Sequence, residues 1–165
     1  MPMTSKERVL QRERNRGWTA GKEQGKVDAL DLAKRAKDMD GTAIIAEEHK
    51  IPLFIWGTDY SGCPVGAPIA EIIDGEVQIF TMITPINTAH YPGITPNTMR
   101  SLYSLRHTKD PAKAKPWIAS QGTSGLYETG ECCTYNGKTW RNLHHNNEYP
   151  PETIGVENRW EEVTE

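Results

Sequence analysis

Adjacent cysteines at 132 and 133, followed by adjacent histidines at 144 and 145, are where thiols and imidazoles come closest in this chain. A structural zinc site draws on two pairs of ligands, each pair separated by two to four residues. Neighbouring residues of a strand point to opposite faces, so Cys132 and Cys133 cannot share one ion. The spacing argues against a metal site and predicts one buried thiol and one partly exposed. The acid pairs Glu47-Glu48 and Glu161-Glu162 are sequence neighbours, whereas glycoside hydrolysis needs two carboxyls facing each other across a bond. No Gly-x-Ser-x-Gly, His-Glu-x-x-His or phosphate loop occurs, and the Gly-rich stretch 17–25 follows no strand. Neither an enzyme nor a cofactor is expected.

Aromatic chemistry remains. Tyr149, beside Pro150, is the best candidate for an exposed ring. Trp140 and Trp160 are expected in the core, because a small unit needs its large side chains to exclude water. Trp56 and Trp117 are expected at the entrances of the units, packed against a linker. His90 and His107 read as loop residues with solvent or backbone partners.

The elements that must position these residues follow from pattern. The 165 residues carry 36% hydrophobic side chains, with 14 Gly and 11 Pro, a texture of short strands and turns rather than long helices. Residues 1–37 hold ten Lys/Arg against five Asp/Glu, and the rest nine against seventeen. The acids interleaved in the basic arm, and the lack of a basic stripe beyond it, argue against nucleic acid. No window approaches 18 apolar residues, so no membrane span is expected. The first residues have no apolar h-region, and three cysteines make no disulfide framework. Synthesis in a reducing cytoplasm is the expectation.

Helices are predicted over 4–16 and 26–37, the latter with Val27, Leu30 and Ala33 on one face, and a loose segment around Trp18 between them. Asp40-Gly41 should end the second helix. Thr42 should open a further turn through Ile44, Ile45 and Glu48, stopped before Pro52. Such short helices are marginal alone and call for a partner. Strands are expected at 53–56, 67–73, 77–83, 101–105, 130–135, 138–143 and 158–163. Asp74-Gly75 and Asn136-Gly137 are type I′ hairpin turns.

These strands form a repeat. One unit runs from Tyr60 to about Leu105, the other from Tyr127 to about Val163. Each has a Tyr followed by Gly, a strand, an Asp/Asn-Gly turn and a strand bearing Phe80 or Trp140. A loop with Tyr91-Pro92 or Tyr149-Pro150 follows, then a closing aromatic strand.

The second unit, with Tyr127, Gly130, Asn136-Gly137-Lys138, Trp140, Pro150, Trp160 and Val163, resembles the small chitinase-type carbohydrate-binding module. Residues 38–165 as a whole are similar to short tail-associated proteins of phages and prophages of Gram-positive bacteria. Residues 46–52, His107-Thr108-Lys109-Asp110-Pro111 and 122–127 carry that likeness. The resemblance implies a mainly β fold: two small three-stranded carbohydrate-binding-type units behind an N-terminal α-helical arm. The arm covers 1–52, the first, degenerate unit 53–106, a linker 107–118 and the second unit 119–165. It implies a non-enzymatic virion protein, tail- or fibre-associated, that contacts host surface polysaccharide through Trp140, His144, His145 and Tyr149, with Trp140 supporting from below. The arm would dock other virion proteins and self-associate, with a trimer as the expected oligomer. The alternative is a capsid or tail decoration protein whose units bind virion proteins and no sugar. In chitin-binding relatives two exposed aromatics follow the Asn-Gly-Lys strand. Here His144 and His145 stand there, and Thr84 and Pro85 lie near the matching place in the first unit. Imidazole covers less of a sugar face than indole, which turns the expectation from chitin toward another glycan or none.

Overall fold

The computed structural model describes residues 22–164. The helix expected over 4–16 and the segment around Trp18 lie outside them. The described chain is mainly β, with two sheets and a short helical segment before them.

Helix α1 (Lys22–Arg35) begins before the expected Lys26, runs through Gly25 and tightens into a 3-10 turn at Ala36–Asp38. Asp40 does not end this helix but caps the next, α2 (Gly41–Ala46). Its backbone is extended and its carboxylate accepts the Ala43 N–H at 2.8 Å, as suits a short acid at a helix start. Arg35 grips Asp31 (2.9 Å) and Glu47 (3.0 Å), and Lys50 reaches the same Glu47 at 2.8 Å. The hydrogen bonds from Arg35 and then Lys50 hold the Glu47 carboxyl at about 2.

The buried side of this helical segment is Leu32 of α1 and, one turn on, Ala36 of the 3-10 turn, while Val27 and Leu30 stay exposed. Leu32, Ala36, Ile44, Ile45 and Ile51 pack on Ala70 and Ile79 of the first sheet. At roughly 1.5–3 kcal/mol per large buried side chain, this contact stabilises helices too short to stand alone. The partner that their apolar residues require is the sheet of the same chain.

That sheet has the order β1 (Pro68–Ile73), β2 (Glu76–Met82), β3 (Tyr103–Leu105), all antiparallel. Its other face carries Ile69, Phe80, Met82, Tyr103 and Leu105 in a second cluster. With both faces covered, Gln78 to Met82 are all buried, which explains the nearly continuous apolar run at 77–83. The expected strand at 53–56 contributes only a parallel bridge from Leu53 to Ala70.

The second sheet is four-stranded rather than three-stranded: β4 (Lys115–Pro116), β5 (Cys132–Tyr135), β6 (Lys138–Asn142) and β7 (Trp160–Glu162). β4 lies parallel to β5, and the others are antiparallel. Its core is Tyr127, Cys133 and Trp160, flanked by Trp117, Tyr135 and Trp140.

The repeat holds in hydrogen-bond register. Gly66 N–H donates to Met82 O and Gly130 N–H to Asn142 O, both at 2.8 Å. Ile83 to Leu102 O matches Leu143 to Arg159 O, and Arg106 to Ile79 O matches Val163 to Thr139 O. The first hairpin is longer by the pairs Ile72–Val77 and Ile73–Glu76. Both turns have two residues at positive φ, Asp74 and Gly75 in one, Asn136 and Gly137 in the other, as type I′ geometry requires.

Residues 107–118, expected as a linker, are part of the second sheet and its cover. Thr108 is buried and bridges Cys132, and Lys115–Pro116 continue along β5. The segment covers a strand edge that would otherwise expose unpaired backbone. It also changes the cysteine expectation, because both Cys132 and Cys133 are buried. Cys133 faces the aromatic core, and Cys132 lies against the carbonyls of Lys109 and Gly130.

Contacts across the seam join the two units. Ser124 Oγ accepts the Leu105 N–H (3.0 Å) and donates to Tyr103 O (2.9 Å), standing in for a strand partner on the outer edge of β3. The buried Arg100 donates to Ser124 O and Ala119 O and lies over the Phe80 ring. Gln78 reaches Pro116 O at 2.7 Å.

Candidate functional site

The loop after β6 is organised by two asparagines that are fully buried. Asn142 Nδ2 donates to Tyr127 O (3.0 Å) and His144 O (2.6 Å), and its Oδ1 accepts Asn147 Nδ2 at 2.8 Å. Asn147 exchanges backbone hydrogen bonds with Tyr127, and its Oδ1 accepts the Tyr149 N–H. Interior amides satisfied on every side fix a loop whose backbone has no ladder of its own. Neither residue stood out in the sequence, because asparagine near a turn is common and does not reveal which backbone groups it will bind.

On this frame His144, His145 and Tyr149 are exposed. His144 Nδ1 bonds to His145 O, and His145 Nδ1 meets the Glu128 carboxylate. Tyr149 is 38% exposed, and the Arg159 guanidinium lies 5.1 Å from its ring centroid. One ring face is thus already stacked. The support beneath Tyr149 comes from Trp160, whose indole N–H donates to Tyr149 O at 2.8 Å. Trp140 does not join the loop. Its indole N–H goes to Tyr135 O at the hairpin tip, the opposite end of β6, and Lys138 sits over its ring. The loop therefore gathers three of the four candidates around Asn142 and Asn147, and Trp140 is a half-buried flank of the core.

His107, expected in contact with solvent or backbone, is buried. Nε2 faces Gly125 O at 2.9 Å, so this nitrogen carries the proton, and the ring stacks on Tyr127. Burial pushes its pKa down to about 4. Beside it a cleft of about 410 Å³ opens at the seam, lined among others by Asp40, Arg106, Lys109, Glu128 and Glu131. Burial raises the Glu131 carboxyl, while its Oε1 accepts the Glu128 N–H at 2.6 Å. Among the described residues no three His, Cys, Asp or Glu side chains are placed to hold a metal ion. Cys132 and Cys133 point away from each other, and His144 and His145 are engaged in the loop.

Trp56 departs from its expected packing against the linker. It is 51% exposed, and its indole N–H donates to Tyr91 O at 3.1 Å.

No protein-family model matches this chain, and no curated protein is significantly similar to it.

Proposed function

We propose that the chain is a non-enzymatic virion structural protein, tail- or fibre-associated, whose two β units contact host surface polysaccharide. The observation that supports this most is the duplication. One hydrogen-bond register is used twice, and in each unit the loop after the hairpin displays a tyrosine at the surface, Tyr91 at 43% and Tyr149 at 38% exposure. Weak single sites gain from repetition, and linked copies can add roughly 10²–10⁴-fold in avidity. Docking to other virion proteins, and the self-association read for the arm, fall to its outward residues such as Val27 and Leu30.

Sedimentation of the full chain with Gram-positive cell walls tests the reading. It should pellet with intact walls and stay in solution once the wall polysaccharide has been digested. Light scattering in parallel tests the trimer expected for the arm.

One observation favours the decoration reading. Arg159 on Tyr149 and Glu128 on His145 give the second unit's loop a charged, self-satisfied surface, more like the rim of a protein interface than an open sugar platform. Failure to pellet with any wall preparation would favour it.

A further inference from the structure

We propose that Trp56 and Tyr91 form a carbohydrate platform on the first unit, one that takes the apolar face of a pyranose chain; it rests on the reading just given. Ile55, Trp56 and Tyr91 are 65%, 51% and 43% exposed, although burying large apolar side chains would stabilise the fold. Their position is nevertheless fixed. Residues 56–60 and 86–91 are zipped together by Thr88, which is fully buried. Its hydroxyl accepts the Gly57 N–H (2.8 Å) and donates to Thr58 O (2.7 Å), and its own N–H also goes to Thr58 O. Asp59 bridges Asn87, and Tyr60 N–H donates to Ile86 O. The indole N–H of Trp56 is spent on Tyr91 O, so what Trp56 offers is ring face.

Polar groups sit on the same two segments. Asp59 accepts both the backbone N–H and the hydroxyl of Ser61, which keep its carboxyl ionised below the usual range, and His90 lies within electrostatic reach. An anchored indole and an exposed tyrosine on the same two segments as the exposed Asp59 carboxylate and His90 imidazole suit a ligand with one C–H face and equatorial hydroxyls. A protein partner fits less well. Stable interfaces bury about 800 Å² on each side, and an aromatic side chain supplies about 150–250 Å² even when wholly covered.

The test is co-sedimentation of the full chain with insoluble chitin, cellulose and peptidoglycan sacculi, comparing the parent with Trp56→Ala, Tyr91→Ala, Trp56→Phe and Tyr149→Ala. The parent should bind at least one of the three. Trp56→Ala and Tyr91→Ala should each weaken that binding roughly three- to tenfold at unchanged melting temperature, and Trp56→Phe, which keeps a ring, should retain most of it. Should Trp56→Ala melt early, Tyr91→Ala decides. If the parent binds none of the three, the platform is wrong, and the polysaccharide reading falls with it only if the chain also fails to pellet with intact cell walls. If the parent binds, and only Tyr149→Ala weakens it, the platform is wrong and the polysaccharide reading stands on the second unit.

Discussion

His107 lies flat on Tyr127, with ring centroids 3.5 Å apart and planes 12° from parallel. The stack is completed by Trp160, edge-on to Tyr127 at 5.1 Å. A residue from the segment that leaves the first unit thus forms part of the second unit's aromatic core. It must also stay neutral there, with Nε2–H donated to Gly125 O.

The pH dependence follows. An unfolded histidine takes up a proton near pH 6.5, whereas burial holds His107 neutral down to about 4. The unfolded state therefore binds more protons between these values. Stability is undiminished above pH 6.5 and falls as pH drops toward 4, by up to about 1.4 kcal/mol per unit. Glu131, whose carboxyl is raised by burial, acts in the opposite sense, losing stability as pH rises through its own range. Thermal melts of the parent and His107→Gln at pH 7, 6 and 5 check this. Glutamine keeps a donor for Gly125 O and should flatten the dependence; equal slopes would refute the assignment.

Gly41 packs its bare Cα side against the backbone of residue 107, next to the hydrogen bond from Lys109 N–H to Thr42 Oγ1 (2.9 Å). A Cβ there would stand 2.1 Å from His107 O, a backbone atom that cannot swing aside. Gly41→Ala should cost about 1–3 kcal/mol, as overpacking does, even though alanine favours helices. Denaturant unfolding measures it. A neutral or stabilised variant would show that α2 does not press on residue 107.

Tyr103 carries the one buried side-chain polar atom without a hydrogen-bond partner among the described residues, its hydroxyl. Stranding such a group costs about 1–3 kcal/mol. Tyr103→Phe should therefore leave stability unchanged or raise it by about 1 kcal/mol, read as an upward shift in melting temperature. A clear loss would mean that the hydroxyl has a partner in solution.

Trp160 and Tyr149 separate core from surface. Trp160 is 4% exposed and supplies the hydrogen bond under Tyr149. Trp160→Ala should cost about 3–5 kcal/mol and unfold the second unit at moderate temperature. Tyr149→Ala loses a half-exposed ring and one cation contact, so its melting temperature should move little. Circular dichroism melts distinguish the two, and similar losses would place Tyr149 in the core.

Six of the seven expected strands and both hairpin turns were legible because their patterns are local, while the stretch at 53–56 gave only a bridge and β4 went unread. Asp74-Gly75 and Asn136-Gly137 announce their conformation within two residues. The rest depended on distant partners. Periodicity in α1 supports two apolar registers, Val27 with Leu30 or Leu32 with Ala36, and it is β1 and β2 that choose the second. Residues 107–118 read as a linker because a charged, Pro-bounded stretch gives no sign of pairing through its backbone with a strand far along the chain. The same hidden pairing buried both cysteines. In the candidate loop the exposed His144, His145 and Tyr149 could be picked out by residue type. What fixes them is a side-chain network of Asn142 and Asn147 tied to Tyr127, and what already occupies them is Glu128 and Arg159; none of these pairings has a sequence signature.

The hydroxyl of Ser124 on the edge of β3 makes the two units unequal. The second copy supplies the group that finishes the first, so neither is a cassette that could be cut out, reordered or grafted alone. Excision at the seam would leave one fragment with an open strand edge and the other with a serine-bearing turn and nothing to cap. The repeat is therefore directional, and any third copy joined in the same way would have to bring its own Ser124.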